Sequence, residues 1–214
     1  MTLRAERTAP IGRAQPALFP MFLKLAGRRC LVVGAGAIAE SKIESLLLAG
    51  ARVTVVAPEA ADKVRRWAGA RKIVWRARTY RPGDLRGVFL VIAATSSAKL
   101  HREIFRRARR DGILCNAVDD PPNCDFYYGA VVRRGALQIA ISTGGHSPSL
   151  ASRLRAELER QFGPEYDAWV RRLGRARATI LRRERDPGKR RKILHGQASA
   201  AGLRAFRGGK TPRP

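Results

Sequence analysis

A chain of 214 residues is long enough for one sizeable domain or two small ones. Its 45% hydrophobic content excludes wholesale disorder, and no apolar run approaches the roughly 18 residues a membrane-spanning helix needs. The formal charge of +26 sets up a field that draws polyanions, whether nucleic acid, an anionic lipid surface or a polycarboxylate.

Residues 1–20 carry Arg4, Arg7 and Arg13 with Pro10, Pro16 and Pro20. They lack the continuous apolar stretch of a secretory signal, and residues 1–19 read as a flexible leader. Arg29–Val33 is a short strand buried on both faces. Gly34-Ala35-Gly36 breaks it. From Ala37 to Ala49 the residues Ile38, Ile43, Leu46 and Leu47 recur at helical spacing, and Gly50 ends the helix. Arg52–Val56 is a second β-branched strand, stopped by Pro58. Residues 60–69 read as a helix and Lys72–Trp75 as a strand. Val88–Ala93 is a fully apolar strand, Ser97–Arg110 an amphipathic basic helix and Ile113–Val118 the next strand. Strands alternating with helices imply a parallel, doubly wound sheet.

The pattern changes after Asp120. Phe126–Arg133 and Ala136–Ser142 are extended runs joined at Arg134-Gly135, which predicts an antiparallel hairpin. Pro148 suits the first turn of a helix running to about Arg160. Gly163-Pro164 interrupts it, and Glu165–Leu181 is a further helix. Residues 171–214 hold 15 Lys/Arg against Glu184 and Asp186, and residues 185–214 read as a basic, disordered tail that turnover does not need. Phe206 is the one aromatic residue there, which disfavours nucleic acid as the partner.

The expected division is therefore a leader over 1–19, a nucleotide-binding Rossmann domain over 20–118, a dimerisation and active-site region over 119–148, a helical domain over 149–184 and the tail. The fold class is α/β: a Rossmann-type parallel sheet, then a β-hairpin dimerisation region, then a small helical C-terminal domain. The hairpin and helices bury little surface alone, which points to a homodimer. Cys30, Cys115 and Cys124 fit neither a disulfide framework nor a zinc site. Cys30 and Cys115 fall in strands and act as small hydrophobes, and a reducing cytoplasm is the simplest setting.

Gly34-Ala35-Gly36-Ala37-Ile38-Ala39 has the G-x-G-x-x-A form of a dinucleotide fingerprint, placed between a strand and a helix as the motif requires. Gly34 permits the sharp turn, Gly36 lets a pyrophosphate approach the backbone, and Ala39 keeps the helix against the sheet. The amides of Ala37 and Ile38 open the helix toward the phosphates. Pro58 and Glu59 follow the second strand, where an acidic residue holds the ribose hydroxyls. With no arginine directly after them for a 2′-phosphate, NAD is preferred over NADP.

Further motifs add to this one. Pro20-Met21-Phe22-Leu23 and Leu25-Ala26-Gly27-Arg28 precede the first strand, Gly34 to Lys42 reads GAGAIAESK, and Ala93-Ala94-Thr95 ends the fourth strand. Cys115-Asn116-Ala117-Val118-Asp119-Asp120-Pro121 and Ser142-Thr143-Gly144-Gly145-His146-Ser147-Pro148 follow. In this order they resemble the siroheme-synthase dehydrogenase family: precorrin-2 dehydrogenases, with or without sirohydrochlorin ferrochelatase activity. The resemblance covers about residues 20–170. It departs at Ala35, Ser41 and Ser96, where the family has glycine, arginine and an acidic or amide residue.

The resemblance implies a homodimer that oxidises the tetrapyrrole precorrin-2 to sirohydrochlorin, passing hydride to NAD⁺. Some members also take Fe²⁺ as a substrate. It implies Asp119 as the catalytic carboxylate, and Asp119 follows a parallel strand, at the edge where α/β sheets bind ligands. An Asx turn before Pro121-Pro122 is the alternative for that residue, with Asp120 the better turn candidate. Gly34, Gly36, Ala37, Ile38, Pro58, Glu59, Ala94 and Thr95 are the expected coenzyme contacts. Asn116, Thr143, Gly144, Gly145, His146, Ser147 and Arg153 are the expected substrate contacts. Thr143 either binds substrate or caps its turn, and His146 either meets a carboxylate or metal or is a solvated loop histidine. Arg133, Arg134, Arg153 and Arg155 could pair with the eight carboxylates of the family substrate or form a solvated face. His101 and His195 read as bystanders. The alternative function is a nucleotide-sensing Rossmann module with a nucleic-acid-binding basic tail.

Overall fold

The computed structural model describes residues 17–209 and divides the chain into two compact units, meeting at Tyr127 and Tyr128. Most of the expected leader and the last five residues lie outside the described residues. In the first unit, β1 (Arg29–Val33), β2 (Arg52–Val56), β3 (Val74–Arg76), β4 (Leu90–Ala93) and β5 (Leu114–Ala117) form one parallel sheet in the order β3-β2-β1-β4-β5. Three helices alternate with them: α1 (Ala37–Leu48), α2 (Asp62–Gly69) and α3 (Ala98–Arg110).

Side chains alternate across a strand, and β1 serves both faces. Cys30 and Val32 pack with Ala39, Ile43 and Leu46 of α1 and Val64 of α2. Leu31 and Val33 pack with Ile104 and Ala108 of α3. All six are less than 3% exposed on the first face's helices and strand, and the α3 pair is fully buried, as a doubly wound sheet requires. Ile38 departs from the expected core face of α1: it is 54% exposed, and Ala39 is the residue that meets the sheet.

Register decides where a ligand can sit. Val33 is paired with Val56 and with Ala93, Ala93 with Ala117, and Val56 with Arg76, so the five strands end in one row. The chain leaves β1 and β4 in opposite directions, since β2 lies on one side and β5 on the other. The crevice above that reversal is where open α/β sheets bind ligands.

The first unit runs past the expected boundary at residue 118. The Asp125 amide donates to the Cys115 carbonyl (2.8 Å), the Cys115 amide donates to Asp125 Oδ2 (3.0 Å), and Asn116 Nδ2 donates to the Phe126 carbonyl (2.8 Å). These bonds fold residues 124–126 back along β5, so Asp119 belongs to the nucleotide-type unit.

The second unit holds an antiparallel hairpin, β6 (Ala130–Arg134) and β7 (Leu137–Ile141), followed by α4 (Pro148–Gln161), α5 (Glu165–Arg183), α6 (Pro187–Gln197) and α7 (Ala200–Arg207). Gly135 turns the hairpin at φ +58°, and a Cβ there would strike the Asp167 carboxylate on α5. Phe162, Tyr166 and Trp169 stack edge to face around the α4–α5 corner. The tail expected over 185–214 is instead helical through Arg207. Asp186 caps α6 by accepting from the Lys189 amide (2.7 Å), and Ser199 caps α7 by accepting from the Gly202 amide (3.1 Å), each satisfying an orphan helix donor. Arg207 pairs with Glu165, and Arg172 stacks on Phe206, holding α7 to α5.

Candidate functional site

Above the row of strand ends lies an open crevice of about 790 Å³. It is walled by Gly36–Ala39, by Ala94–Ser96, by Ala98, His101 and Arg102 of α3, and by Val118–Asp120. Three strand-to-loop transitions converge here because β1, β4 and β5 end level with one another.

The glycine turn has two distinct jobs. Gly34 sits at φ +103°, and a Cβ there would lie 2.1 Å from the Ala94 carbonyl oxygen. The turn can therefore pass beside the β4 loop only without a side chain. A Cβ on Gly36 would meet nothing within 4 Å, so that glycine leaves open space where a ligand comes close. Gly36 is the N-cap of α1 and no side chain caps the helix. The first amides of α1, including those of Ala37 and Ile38, are thus free to bind an anion, assisted by the helix dipole. An uncapped helix start, a vacant Cβ position and a crevice within the usual volume of a ligand site, ~300–1,000 Å³, all suit a dinucleotide. Thr95 Oγ1 accepts from the Ser97 amide (3.3 Å) and Ser97 Oγ from the Leu100 amide (3.3 Å), which rigidifies the loop leading into α3.

Pro58 and Glu59 are exposed in the loop after β2. They are outside the crevice wall, but the Ala61 amide donates to the Ala35 carbonyl (3.0 Å), which ties their loop to the glycine turn.

Asp119 lines the crevice in a left-handed conformation, φ +58°, one that aspartate adopts more readily than most residues at a cost of roughly 1–2 kcal/mol. Lys42, half-buried on α1, feels its charge. Burial pulls the Lys42 ammonium below its ordinary range, and the negative charge of Asp119 works against that fall. Lys42, in the α1 motif, lies within electrostatic reach of Asp119.

Two sequence expectations change. Asn116 is 6% exposed and spends its amide on the Phe126 carbonyl and on Cys124 Sγ (3.4 Å). It anchors residues 124–126. His101, read as a bystander, is 5% exposed and built into the crevice wall. Helical phase was the available signal: His101, Ile104 and Ala108 share the buried face of α3.

The remaining expected residues lie in the second unit. Thr143 Oγ1 accepts from the Ser147 amide (3.1 Å), and Ser147 Oγ caps α4 by accepting from the Leu150 amide (3.2 Å). Gly144 and Gly145 take φ +61° and +86°, and His146 is exposed. The loop thus presents backbone and an imidazole, with its hydroxyls committed to its own turn. Arg153 pairs with Glu157 at 3.6 Å and Arg155 with Glu159 at 2.7 Å. Arg134 donates to the Phe162 and Glu159 carbonyls, so it braces the hairpin. Arg133 is exposed.

Comparison with known proteins agrees with this geometry. The NAD(P)-binding family profile matches residues 21–130, and the sirohaem biosynthesis protein central segment matches residues 134–161. A siroheme synthase of Nitrosococcus oceani is 37% identical over 164 residues, covering 77% of this chain and 35% of the relative. One of Neisseria meningitidis is 38% identical over 179 residues, covering 84% and 37%. The chain thus spans about a third of the length of these curated relatives. Among solved structures, SirC, a precorrin-2 dehydrogenase, superposes with a TM-score of 0.73 at 27% identity, covering 86% of this chain and 90% of its own. With the NAD(P)-binding profile spanning half the sequence, and a segment like the sirohaem biosynthesis protein's central part following it, the chain belongs to the NAD(P)-binding family.

Proposed function

We propose that this protein is an NAD-dependent precorrin-2 dehydrogenase, oxidising precorrin-2 to sirohydrochlorin in the cytoplasm as a homodimer. The observation that carries the reading is that Asp119 and the bare N-terminus of α1 share one crevice at the switch point of the sheet. The amides of Gly36, Ala37 and Ile38 would hold the pyrophosphate. Ala94 and Thr95 would flank the coenzyme on the other wall. Glu59 would accept from the ribose hydroxyls, and its carboxylate would repel a 2′-phosphate, which favours NAD over NADP.

When bound, the nicotinamide supplies a hydride acceptor. The substrate loses a hydride and a proton, so the protein's part is to take the proton. Asp119, in the crevice wall, would receive it on its carboxylate. Within the second unit, Gly144 and Gly145 leave backbone without side chains, and Arg133 is an exposed cation suited to a carboxylate.

The test compares wild type with Asp119→Ala. Turnover of precorrin-2 should vanish while the Kd for NADH stays within about twofold, a change below 0.5 kcal/mol. Full turnover in the variant removes Asp119 from the mechanism. Salt-sensitive DNA binding without turnover would favour the nucleotide-sensing alternative.

A further inference from the structure

We propose that His101 is a positioning residue for Asp119, acting through Asp120; the proposal rests on the crevice being the site of the oxidation described above. The imidazole occupies an apolar register of α3, on the face that also buries Ile104 and Ala108. A polar side chain sealed in this way needs a polar partner, and the structure aims one edge of the ring at one group. Nδ1 lies 3.6 Å from Asp120 Oδ2, within ion-pair range though too long for a hydrogen bond. Among the described residues Nε2 is buried with no partner. The ring therefore turns one nitrogen toward Asp120 and keeps the other buried without a partner.

Asp120 is where this contact becomes useful. Its Oδ2 also accepts from Asn123 Nδ2 (2.8 Å), so the carboxylate ties the turn after β5 both to the Pro121–Asn123 3-10 turn and to α3. Its amide donates to the Ala117 carbonyl (3.2 Å), and one residue before Asp119 the Val118 amide donates to the Ala93 carbonyl (2.9 Å). Asp119 is thus strained backbone between two fixed points. A left-handed aspartate persists only when its neighbours over-determine it. The second fixed point is held by the Asp120 amide, by its carbonyl, which accepts from the Asn123 amide (2.9 Å) and from Cys124 Sγ (3.4 Å), and by its side chain. His101 braces that point from α3, whose start also lines the crevice.

The brace predicts a pattern that simple packing does not. His101→Leu keeps the volume and apolar register but removes the contact. Its kcat should fall about tenfold to a hundredfold, the loss expected when a catalytic group shifts by about 1 Å, while KM for precorrin-2 and Kd for NADH stay within about twofold. His101→Gln, which returns a donor at similar depth, should recover most of kcat. Asp120→Asn should lose as much as His101→Leu, and the double variant no more than either alone. Independently of turnover, the Asp120 amide should exchange with solvent about tenfold faster in His101→Leu, as local opening becomes easier.

Wild-type kcat in His101→Leu overturns the proposal. So does equal loss in the Gln and Leu variants with a matching fall in melting temperature, or multiplicative loss in the double variant. A wild-type protein that does not oxidise precorrin-2 overturns the dehydrogenase reading instead, and the exchange rate of the Asp120 amide then decides the brace by itself.

Discussion

Alanine at Gly34 and alanine at Gly36 should separate what the glycine turn does for the fold from what it does for the coenzyme. At Gly34 a methyl group would lie 2.1 Å from the Ala94 carbonyl oxygen and 2.8 Å from its carbon, far inside van der Waals contact. Both partners are backbone, so no side chain can swing away. The residue would also be held at φ +103°, where a side chain costs about 1–3 kcal/mol. Displacing the β4 loop adds about 1–3 kcal/mol more. Gly34→Ala should therefore lose about 2–6 kcal/mol, which for a chain of this size lowers the melting temperature by at least roughly 4 °C. Gly36 has φ −81°, ψ −174°, an extended conformation open to alanine, with nothing for the methyl to strike. Gly36→Ala should keep or slightly raise stability, by about 0.4–1 kcal/mol through the unfolded chain. Its methyl, however, occupies the space the pyrophosphate needs, so the Kd for NADH should rise at least tenfold, about 1.4 kcal/mol. Thermal unfolding and calorimetric titration of both variants check the pair. A Gly34→Ala protein as stable as wild type, or a Gly36→Ala protein that binds NADH normally, would refute the assignment of roles.

Other expectations concern stability and reactivity. Arg78, with the Arg81 amide and Arg76, holds the buried Asp84 carboxyl down at about 2. A folded value below the unfolded one stabilises the protein above about pH 4, and that contribution fades as pH falls toward 2. Asp84→Asn should lose about 2 kcal/mol at neutral pH, and its deficit in denaturant titrations should shrink below pH 4. Burial pushes the Cys30 thiol up to about 11 and the Cys115 thiol up to about 12, so iodoacetamide at mild alkaline pH should label both only as fast as the protein unfolds, read by mass spectrometry. Truncation after residue 185 should destabilise the second unit by at least about 2 kcal/mol, because it strips Phe206 and the Arg207–Glu165 pair from α5; unchanged unfolding of that unit would contradict this.

The parallel sheet was legible because strands buried on both faces are near-continuous apolar runs: Cys30–Val33 and Leu90–Ala93 are such runs, and Val53–Val56 is broken only by the β-branched Thr54. The glycine turn was legible because its chemistry is local. What escaped depended on tertiary placement. Ile38 fits the α1 periodicity yet faces the crevice, since Ala39 is what brings the helix close to the sheet. Asn116 looks like a binding residue in sequence, but residues 124–126 return to consume its amide. The tail looked disordered because basic residues dominate 182–192; its helices announce themselves only through the caps Asp186 and Ser199. His101 carried a helical-phase signal, a polar residue in an apolar register, but nothing in the sequence brings Asp120 beside it.

On the proposed function, the crevice passes hydride from a tetrapyrrole to a nicotinamide while Asp119 takes the proton. Anaerobic incubation of the purified protein with precorrin-2 and NAD⁺, following both chromophores, tests it directly. NADH and sirohydrochlorin should appear together in equal amounts. Oxidation of the macrocycle without matching NADH, or no oxidation by a protein that binds both ligands, would contradict it.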